Sequence, residues 1–198
     1  MVVLTTFRRR DMATAVSICS NALRKLGDDP ITSLTDDTER ARLCNAFYEP
    51  TRDAVLRSHP WNFAIERQEL SKLVAAPAFD YAYQYTLPTS PYCLRVLKME
   101  YDEYIFKIEG RKLLSDEGTA KILYIAQVTD TAQFDPIFTE VLTARLAAEL
   151  AYSITGSNSL SKQMWELYEI KVAEARSIDG LEGFIDGLVS DTFTSFRG

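Results

Sequence analysis

The sequence predicts an α+β fold, in which a helical bundle of about four main helices carries an inserted small antiparallel β-sheet region and a C-terminal extension. Apolar residues recur at helical spacing up to His59 and again after Pro136. Between these two regions they alternate at the two-residue spacing of strands. A chain of 198 residues is long enough to bury roughly 70% of the surface that its unfolded form exposes.

Three of the four predicted helices have ordinary helix ends. The first spans Thr14 to Leu26 and is followed by Gly27, a residue type that tolerates the left-handed conformation after a helix. The third begins at Asp135-Pro136, a good N-cap and first-turn pair, and stops at Gly156. The fourth runs from about Ser159 to Gly180.

The second helix has less regular signals. Asp36 is followed three residues later by Glu39, a spacing that resembles a capping box. The apolar stripe then continues to Pro60, with Pro50 in its middle. Because proline lacks an N–H and collides with the preceding turn, Pro50 predicts a kink or a break.

Strand-like segments occupy the middle of the chain. Tyrosines stand at every second position from Tyr81 to Tyr85 and are followed by Leu87, which is the period of a half-buried strand. Glu109-Gly110 and Glu117-Gly118 stand where hairpin turns are needed. The other predicted strands are Leu94 to Met99, Tyr104 to Ile108, Leu113 to Leu114 and Lys121 to Ala126.

Charge and cysteine content narrow the possible partners. Twenty-two basic and 28 acidic side chains give a net charge of −6, which argues against a tightly held nucleic acid and would let DNA slide past. Cys19, Cys44 and Cys93 are widely spaced and form no CxxC pair, so neither a disulfide framework nor a zinc site is indicated. No apolar run approaches the roughly 20 residues of a spanning helix, so no membrane partner is expected.

No set of residues indicates catalysis. The sequence lacks the phosphate-binding, dinucleotide-binding and HExxH zinc motifs, and Asp36, Asp37 and Glu39 are better explained as charges at a helix N-terminus. His59 is the only histidine; it could act as a base, but we favour a structural role in which a ring nitrogen satisfies a free carbonyl. We therefore assign no catalytic residue, no cofactor and no metal.

The tyrosines of the middle region allow two interpretations. Tyr81, Tyr83 and Tyr85 could form a platform on which nucleic-acid bases stack. A strand face that packs against helices uses aromatic residues in the same way, and core packing is the favoured interpretation.

Three segments in this order resemble the tail tubular protein A family of short-tailed bacteriophages. They are Cys19 to Gly27, Asp53 to Phe63, which contains His-Pro-Trp-Asn-Phe, and Tyr83 to Pro88. The resemblance covers roughly Met12 to Ile178, and the His-Pro-Trp-Asn-Phe stretch is its most specific part.

The resemblance implies a non-enzymatic head-to-tail adaptor. Such a subunit forms a dodecameric ring with copies of itself beneath the portal protein, with helices around a channel and a β-rich part that meets the tail nozzle, a tail tubular protein B-like partner. Genome DNA passes through the lumen without specific binding. The implied location is the head-tail junction of the virion, after assembly in the host cytoplasm. In this interpretation the motif contributes fold determinants, which are Leu56, Trp61, Phe63 and Leu87.

The same patterns divide the chain into three parts. The two helical hairpins of the adaptor domain are expected to pack together, with the β region projecting from them. The predicted boundaries are 1–11 for an N-terminal extension, 12–179 for the adaptor domain (helices 14–59 and 136–179 with β region 63–128 between them) and 180–198 for a C-terminal docking arm.

The C-terminal arm is too apolar for a solvated tail and too rich in glycine for a stable helix. We predict that it is flexible in the free subunit and becomes ordered against a neighbouring subunit or the portal. The predicted docking residues are Phe184, Leu188, Phe193 and Phe196.

Two alternatives remain open at the level of sequence. The chain could be an interaction module of another multiprotein assembly, which portal binding would distinguish. It could also be a peptidoglycan-cleaving virion protein, which would need two carboxylates across a scissile bond. A cell-wall hydrolysis assay with paired Asp and Glu substitutions would test the second alternative.

Overall fold

The computed structural model describes residues 13–191, with the side chains described as far as residue 181. Within this range it has four α-helices and two three-stranded antiparallel sheets, which confirms the α+β class. The helices are α1 (Ala15–Lys25), α2 (Glu39–Ser58), α3 (Pro136–Thr155) and α4 (Asn158–Asp191). The strands are β1 (Ile65–Glu69), β2 (Tyr83–Thr86), β3 (Cys93–Met99), β4 (Phe106–Glu109), β5 (Lys112–Ser115) and β6 (Lys121–Ala126).

Helix α1 has the ends that its sequence predicts. The Thr14 hydroxyl accepts a hydrogen bond from the Ser17 N–H at 3.1 Å. In turn, the Ser17 hydroxyl accepts a hydrogen bond from the Thr14 N–H at 2.8 Å. Gly27 follows the helix with a φ of +79°, a conformation that costs glycine little. Both features involve residues next to the helix, so the local sequence determines where α1 begins and ends.

Helix α2 departs from the predicted cap at Asp36. Asp36 does not cap it; its carboxylate accepts from the backbone N–H groups of Thr32 and Ser33, at 2.8 and 3.0 Å, and so holds the preceding loop. Thr38 takes the capping position instead, because its hydroxyl accepts from the Ala41 N–H at 3.3 Å. The helix also continues through Pro50, so the predicted break does not occur, and the alternative of a kink stays a prediction.

Helices α3 and α4 meet at the predicted glycine. Asp135 caps α3 by accepting from the Ile137 N–H at 2.7 Å, and Gly156 ends the helix with a φ of +64°. The predicted end of the last helix at Gly180 is wrong, since the backbone of α4 stays helical as far as Asp191. Small residues on α3 are buried, and this helix packs against α1.

The six strands form two sheets rather than one. One sheet has the order β1-β6-β3 and the other β2-β5-β4, and all pairs are antiparallel. The turn at Glu109-Gly110 joins β4 to β5 as a hairpin, as predicted. The predicted hairpin at Glu117-Gly118 is wrong, because β5 and β6, which flank it, belong to different sheets. Strand β1 was missed because four of its five residues are polar and exposed.

Side chains from both sheets enter one hydrophobic cluster. Tyr85 is 1% exposed, and its hydroxyl donates to the Glu117 carbonyl. Tyr83 packs against the cluster from its edge, and burial raises the pKa of Tyr85. Tyr85 is therefore part of the core and has no face for stacking on a base. The cluster consists of Leu70, Tyr85, Leu87, Cys93, Met99, Leu113, Ala120, Ile122, Tyr124 and Ala126.

The chain divides into two compact units. The first contains the described residues up to Glu49 together with Thr129–Lys171, and the second contains Pro50–Val128 together with the residues from Val172 onward. Both boundaries fall inside helices, in α2 next to Pro50 and in α4. Each unit is therefore assembled from two separate stretches of the sequence.

Candidate assembly interface

The His-Pro-Trp-Asn-Phe stretch lies directly after α2. Pro60 follows the helix, and the chain then makes a single 3-10 turn, Asn62–Ala64. Trp61 is fully buried, and its indole N–H donates to the Val55 carbonyl at 3.0 Å. A large aromatic side chain with its one polar group satisfied stabilises a core well. Trp61 thus packs in the core of the second unit and binds the last turns of α2 through the Val55 carbonyl.

The other three predicted fold determinants are not equally buried. Leu56 is 0% exposed and Leu87 is 4% exposed, as expected of core residues. Phe63 is half-buried and does not belong to the core. The spacing of the motif does not reveal this difference, because a 3-10 turn directs neighbouring side chains to different sides.

His59 does not bind the free carbonyl that we expected. Its Nε2 lies 2.8 Å from the Oδ2 atom of Asp179, which is 120 residues away in the sequence. The imidazole ring also stands edge-to-face on Trp61, with ring centroids 4.9 Å apart. His59 is therefore placed between a buried aromatic ring and a carboxylate of α4.

Asp179 receives three hydrogen bonds from this short segment, and we name His59, Asn62 and Asp179 together the Asp179 clamp. The Asn62 N–H donates to Oδ1 of Asp179 at 3.2 Å, and the Asn62 side-chain amide donates to the Asp179 carbonyl at 3.0 Å. A weaker contact joins the Arg176 guanidinium to the Ser58 carbonyl at 3.5 Å. These contacts hold one turn of α4 against the end of α2 within the second unit.

The face of α4 changes from buried to exposed along the clamped turn. Val172 and Ala175 are buried, whereas Ile178 and Leu181 are 41% and 66% exposed. Ile178 and Leu181 lie three residues apart and so share one side of the helix. We call these two residues the α4 apolar face. The helix presents them to solvent at the point where the clamp ends.

The predicted docking residues continue this spacing in the sequence. Phe184 and Leu188 follow Leu181 by three and seven residues, which is the repeat of one helical face. The structure gives these two positions a helical backbone, but their side chains lie outside the described part. Phe193 and Phe196 lie outside the described residues altogether.

Sequence reasoning did not find Asp179. No local pattern marks this residue, because it stands in a helix among other acidic residues and its partners are more than 100 positions away. The signal that could have pointed to it was the lone His59 at the end of a helix, which required some partner. The sequence led us to the wrong partner.

The described residues contain no cluster of metal-binding side chains, and their three thiols are buried. No group of three or more His, Cys, Asp or Glu side chains among them could hold a metal ion. Cys19, Cys44 and Cys93 are free and buried. Contact with Cys44 and burial raise the pKa of the Cys19 thiol above its ordinary value. A buried thiol of this kind is a poor nucleophile.

The acidic residues before α2 are held in local contacts. Hydrogen bonds from the Ser33 and Thr32 N–H groups lower the pKa of Asp36. Arg42 forms salt bridges with Asp37 at 2.7 Å and with Glu39 at 3.3 Å. These carboxylates organise the loop and the first turn of the helix.

Comparison with known proteins adds no relative. No family model matches the chain, and no curated protein matches it. Across the described residues we find no helix with both the length and the apolar character needed to cross a membrane.

Proposed function

We propose that this chain is a non-enzymatic structural subunit of a tailed bacteriophage, a head-to-tail adaptor. In this proposal the subunit forms a dodecameric ring beneath the portal protein, extends the DNA channel and provides the attachment site for the tail nozzle. It resides at the head-tail junction of the virion and assembles in the host cytoplasm. It needs no cofactor and no membrane.

The Asp179 clamp is the observation that carries the proposal. The most specific part of the family resemblance, His59 to Phe63, contacts the turn of α4 from which the predicted docking arm continues. An adaptor needs such a fixed base, because an apolar segment binds more tightly when less of its freedom is lost on docking. The motif therefore has a physical role that suits assembly.

The exposed α4 apolar face supports docking at this place. Ile178 and Leu181 are large apolar side chains that would gain free energy on burial against another protein, about 25 cal/mol for each Å² removed from water. Within a ring, the same contact would repeat in every subunit, and the effective concentration of neighbouring copies would strengthen each modest gain.

The overall charge supports a DNA conduit. With a net charge of −6, the subunit lacks the excess of Lys and Arg that captures a phosphate backbone. DNA that must leave the head quickly would pass such a surface without being held. The proposal therefore includes genome DNA as a passing partner without specific binding.

Portal binding tests the proposed function. We would stop the chain after Gly180, which keeps the Asp179 carbonyl in a peptide bond, and measure co-sedimentation of the purified protein with portal rings. We expect the truncated chain to melt within a few degrees of the full chain and to lose most of its portal binding. Full portal binding by the truncated chain would rule out the docking arm, and absence of binding by the full chain would contradict the adaptor function.

Point substitutions separate docking from folding within the described residues. Leu181→Asp places a charge on the α4 apolar face, and Ile170→Asp places the same charge at another exposed position of the same helix, which is 65% exposed. We expect Leu181→Asp to weaken portal binding about tenfold or more, since a buried charge without a partner is costly, and Ile170→Asp to leave it unchanged. Equal effects of the two substitutions would contradict the assigned face.

A further inference from the structure

Three arginines line one cavity of the second unit. The cavity measures about 400 Å³, and we call it the arginine cavity after Arg57, Arg95 and Arg111. The other described residues that line it are apolar or neutral, and none of these is acidic. They include Leu87, Tyr92, Val96 and Ile108.

Two of the arginines are held in place by backbone carbonyls. Arg111 donates to the Cys93 carbonyl at 2.7 Å and to the Pro88 carbonyl, and its guanidinium lies 3.9 Å from the centre of the Tyr92 ring. Arg57 donates to the Leu94 carbonyl. A carbonyl orients a guanidinium but leaves its charge uncompensated. The cavity is therefore preorganised and positively charged.

The arginines of the cavity lack an acidic partner among the described residues. In the part of the chain that the structure describes, none of its three arginines forms a salt bridge, whereas Arg40, Arg42 and Arg145 all do. This difference stands out in a chain with 28 acidic and 22 basic residues. Burial raises the pKa of the Cys93 thiol at the wall, while the charges of Arg111 and Arg57 act in the opposite direction.

An acidic, partly apolar loop lies at the other end of β3. Residues 100–103, which we call the acidic loop, contain Glu100, Asp102 and Glu103 around an exposed Tyr101. Lys121 pairs with Glu100 at 3.0 Å, and Lys98 pairs with Asp102 at 2.9 Å. Such exposed pairs stabilise little and exchange readily. Glu103 forms no salt bridge with any described residue.

The geometry of β3 keeps the cavity and the loop of one chain apart. The arginine cavity takes Cys93 to Val96 from the start of β3, and the acidic loop begins directly after its end at Met99. Residues 97–99 of the strand separate the two, a length of roughly 10 Å. Among the described residues, no salt bridge joins an arginine of the cavity to a carboxylate of the acidic loop in the same chain.

We infer that the arginine cavity of one copy binds the acidic loop of a second copy, in a head-to-tail contact between neighbouring subunits. The inference rests on the proposed function, because it names the subunit contact of the adaptor ring. Two different surfaces that match each other make a heterologous interface, and repetition of this interface closes a ring when the rotation allows it. Arginine forks suit carboxylates, and Tyr101 can enter the apolar part of the cavity beside Tyr92.

A nucleic acid is the less suitable occupant. Duplex or single-stranded binding uses an extended basic groove that follows the phosphate backbone. The arginine cavity is a single concave site with apolar walls formed by Val96 and Ile108, in a chain of net charge −6. A short acidic segment of protein matches this shape and composition better.

Charge reversal in the full chain tests the contact. Arg95 is the residue to change, since Arg57 and Arg111 also hold backbone carbonyls. We would compare Arg95→Glu, Glu103→Arg and the double variant by sedimentation velocity over a wide range of concentration and salt. Lys162→Glu and Glu169→Arg, at exposed positions of α4, are controls with the same changes of charge.

We expect the wild-type chain to self-associate more weakly as salt increases. Each single reversal should lower its association constant about tenfold or more, and the double variant should restore most of the loss, because the two opposite charges are again paired. The controls should resemble the wild type. A wild-type chain that stays monomeric throughout, or a double variant as weak as the single ones, would overturn the inference.

Two further measurements distinguish this inference from a phosphate-binding site and from the proposed adaptor function. If Arg95→Glu abolished binding of a fluorescent single-stranded DNA while self-association stayed unchanged, the cavity would be a phosphate site and the inference would be wrong. Portal co-sedimentation is measured independently on the same variants. Normal portal binding without self-association would overturn the subunit contact alone, and self-association without portal binding would overturn the adaptor function alone.

Discussion

Gly156 and Gly180 both occupy positions where the sequence pattern predicts the end of a helix, yet of the two only Gly156 ends one. At Gly156 the chain takes a φ of +64°, and its N–H donates to the Tyr152 carbonyl at 2.8 Å. Gly180 does not take the left-handed conformation, and α4 continues through it. The residue before it, Asp179, is held by His59 and Asn62.

The difference teaches that glycine permits the end of a helix but does not impose it. Glycine reaches the left-handed conformation at little cost, so a helix ends there when the next residues gain by turning away. At Gly180, the Asp179 clamp holds the preceding turn in helical conformation, and the helix continues through the glycine. Substitutions near Gly156 and near Gly180 can test that explanation.

The largest effect on stability is expected from removal of the Trp61 ring, which packs against His59 of the Asp179 clamp. Trp61→Ala should lower the free energy of unfolding by about 3–5 kcal/mol, the usual range for truncation of a buried large aromatic side chain. Trp165→Ala is the matched control, because Trp165 is the same residue type but only half-buried, with its ring beneath the Arg145 guanidinium. Denaturant unfolding of both variants gives the comparison.

Assembly assays on the same variant complete this test. We expect Trp61→Ala to lose tail joining through misfolding, since its side chain is 0% exposed. A variant that unfolded like the wild type but failed to assemble would instead place Trp61 in an interface.

Loss of the clamp carboxylate should have the next largest effect. Asp179→Ala removes the acceptor of His59 and of the exposed Asn62 N–H. Leaving the His59 donor unsatisfied, with its side chain only 15% exposed, costs about 1–3 kcal/mol. Asp37→Ala is the control, since the Asp37 side chain is 99% exposed. If both variants lost the same small amount in chemical denaturation, the clamp would not hold α4.

The two glycines themselves should respond with opposite signs. Gly156→Ala forces alanine into a left-handed conformation and should cost about 1–2 kcal/mol. Gly180→Ala should instead stabilise by about 0.5–1 kcal/mol, since alanine in a helix loses less backbone freedom than glycine. An added Cβ meets no atom within 4 Å at either position, so sterics do not confuse the result. Thermal unfolding measures both, and effects of equal sign would refute the explanation.

The smallest effect concerns a purely local carboxylate. Hydrogen bonds from Ser33 and Thr32 lower the pKa of Asp36, so its folded pKa lies below its unfolded value. Its contribution to stability is therefore complete above the unfolded pKa and is lost as the pH falls through the folded pKa. Asp36→Ala should be less stable than the wild type at neutral pH, and the difference should shrink in acid. A difference independent of pH would argue against the lowered pKa.

Several predictions that succeeded concern contacts within about four residues, although the capping box expected at Asp36, which is equally local, was wrong. Thr14 and Asp135 begin their helices, and Gly27 and Gly156 end theirs, through hydrogen bonds to near neighbours. The alternation also predicted the burial of Tyr85 and Leu87 correctly, but it missed that Gln84, on the opposite side of the strand, is buried as well. Such features are accessible from sequence because the partners are close along the chain and their chemistry is visible in a short window.

The sequence by itself thus determined the α+β class, the ends of α1 and α3, and the burial of Trp61 and Tyr85. The tertiary structure decided that β5 and β6 belong to different sheets, that α4 passes Gly180 and that His59 meets Asp179. The physical reason is the separation along the chain. A pair 120 residues apart has no local signature, because the energy that joins it comes from burial and hydrogen bonds that exist only after the chain has folded.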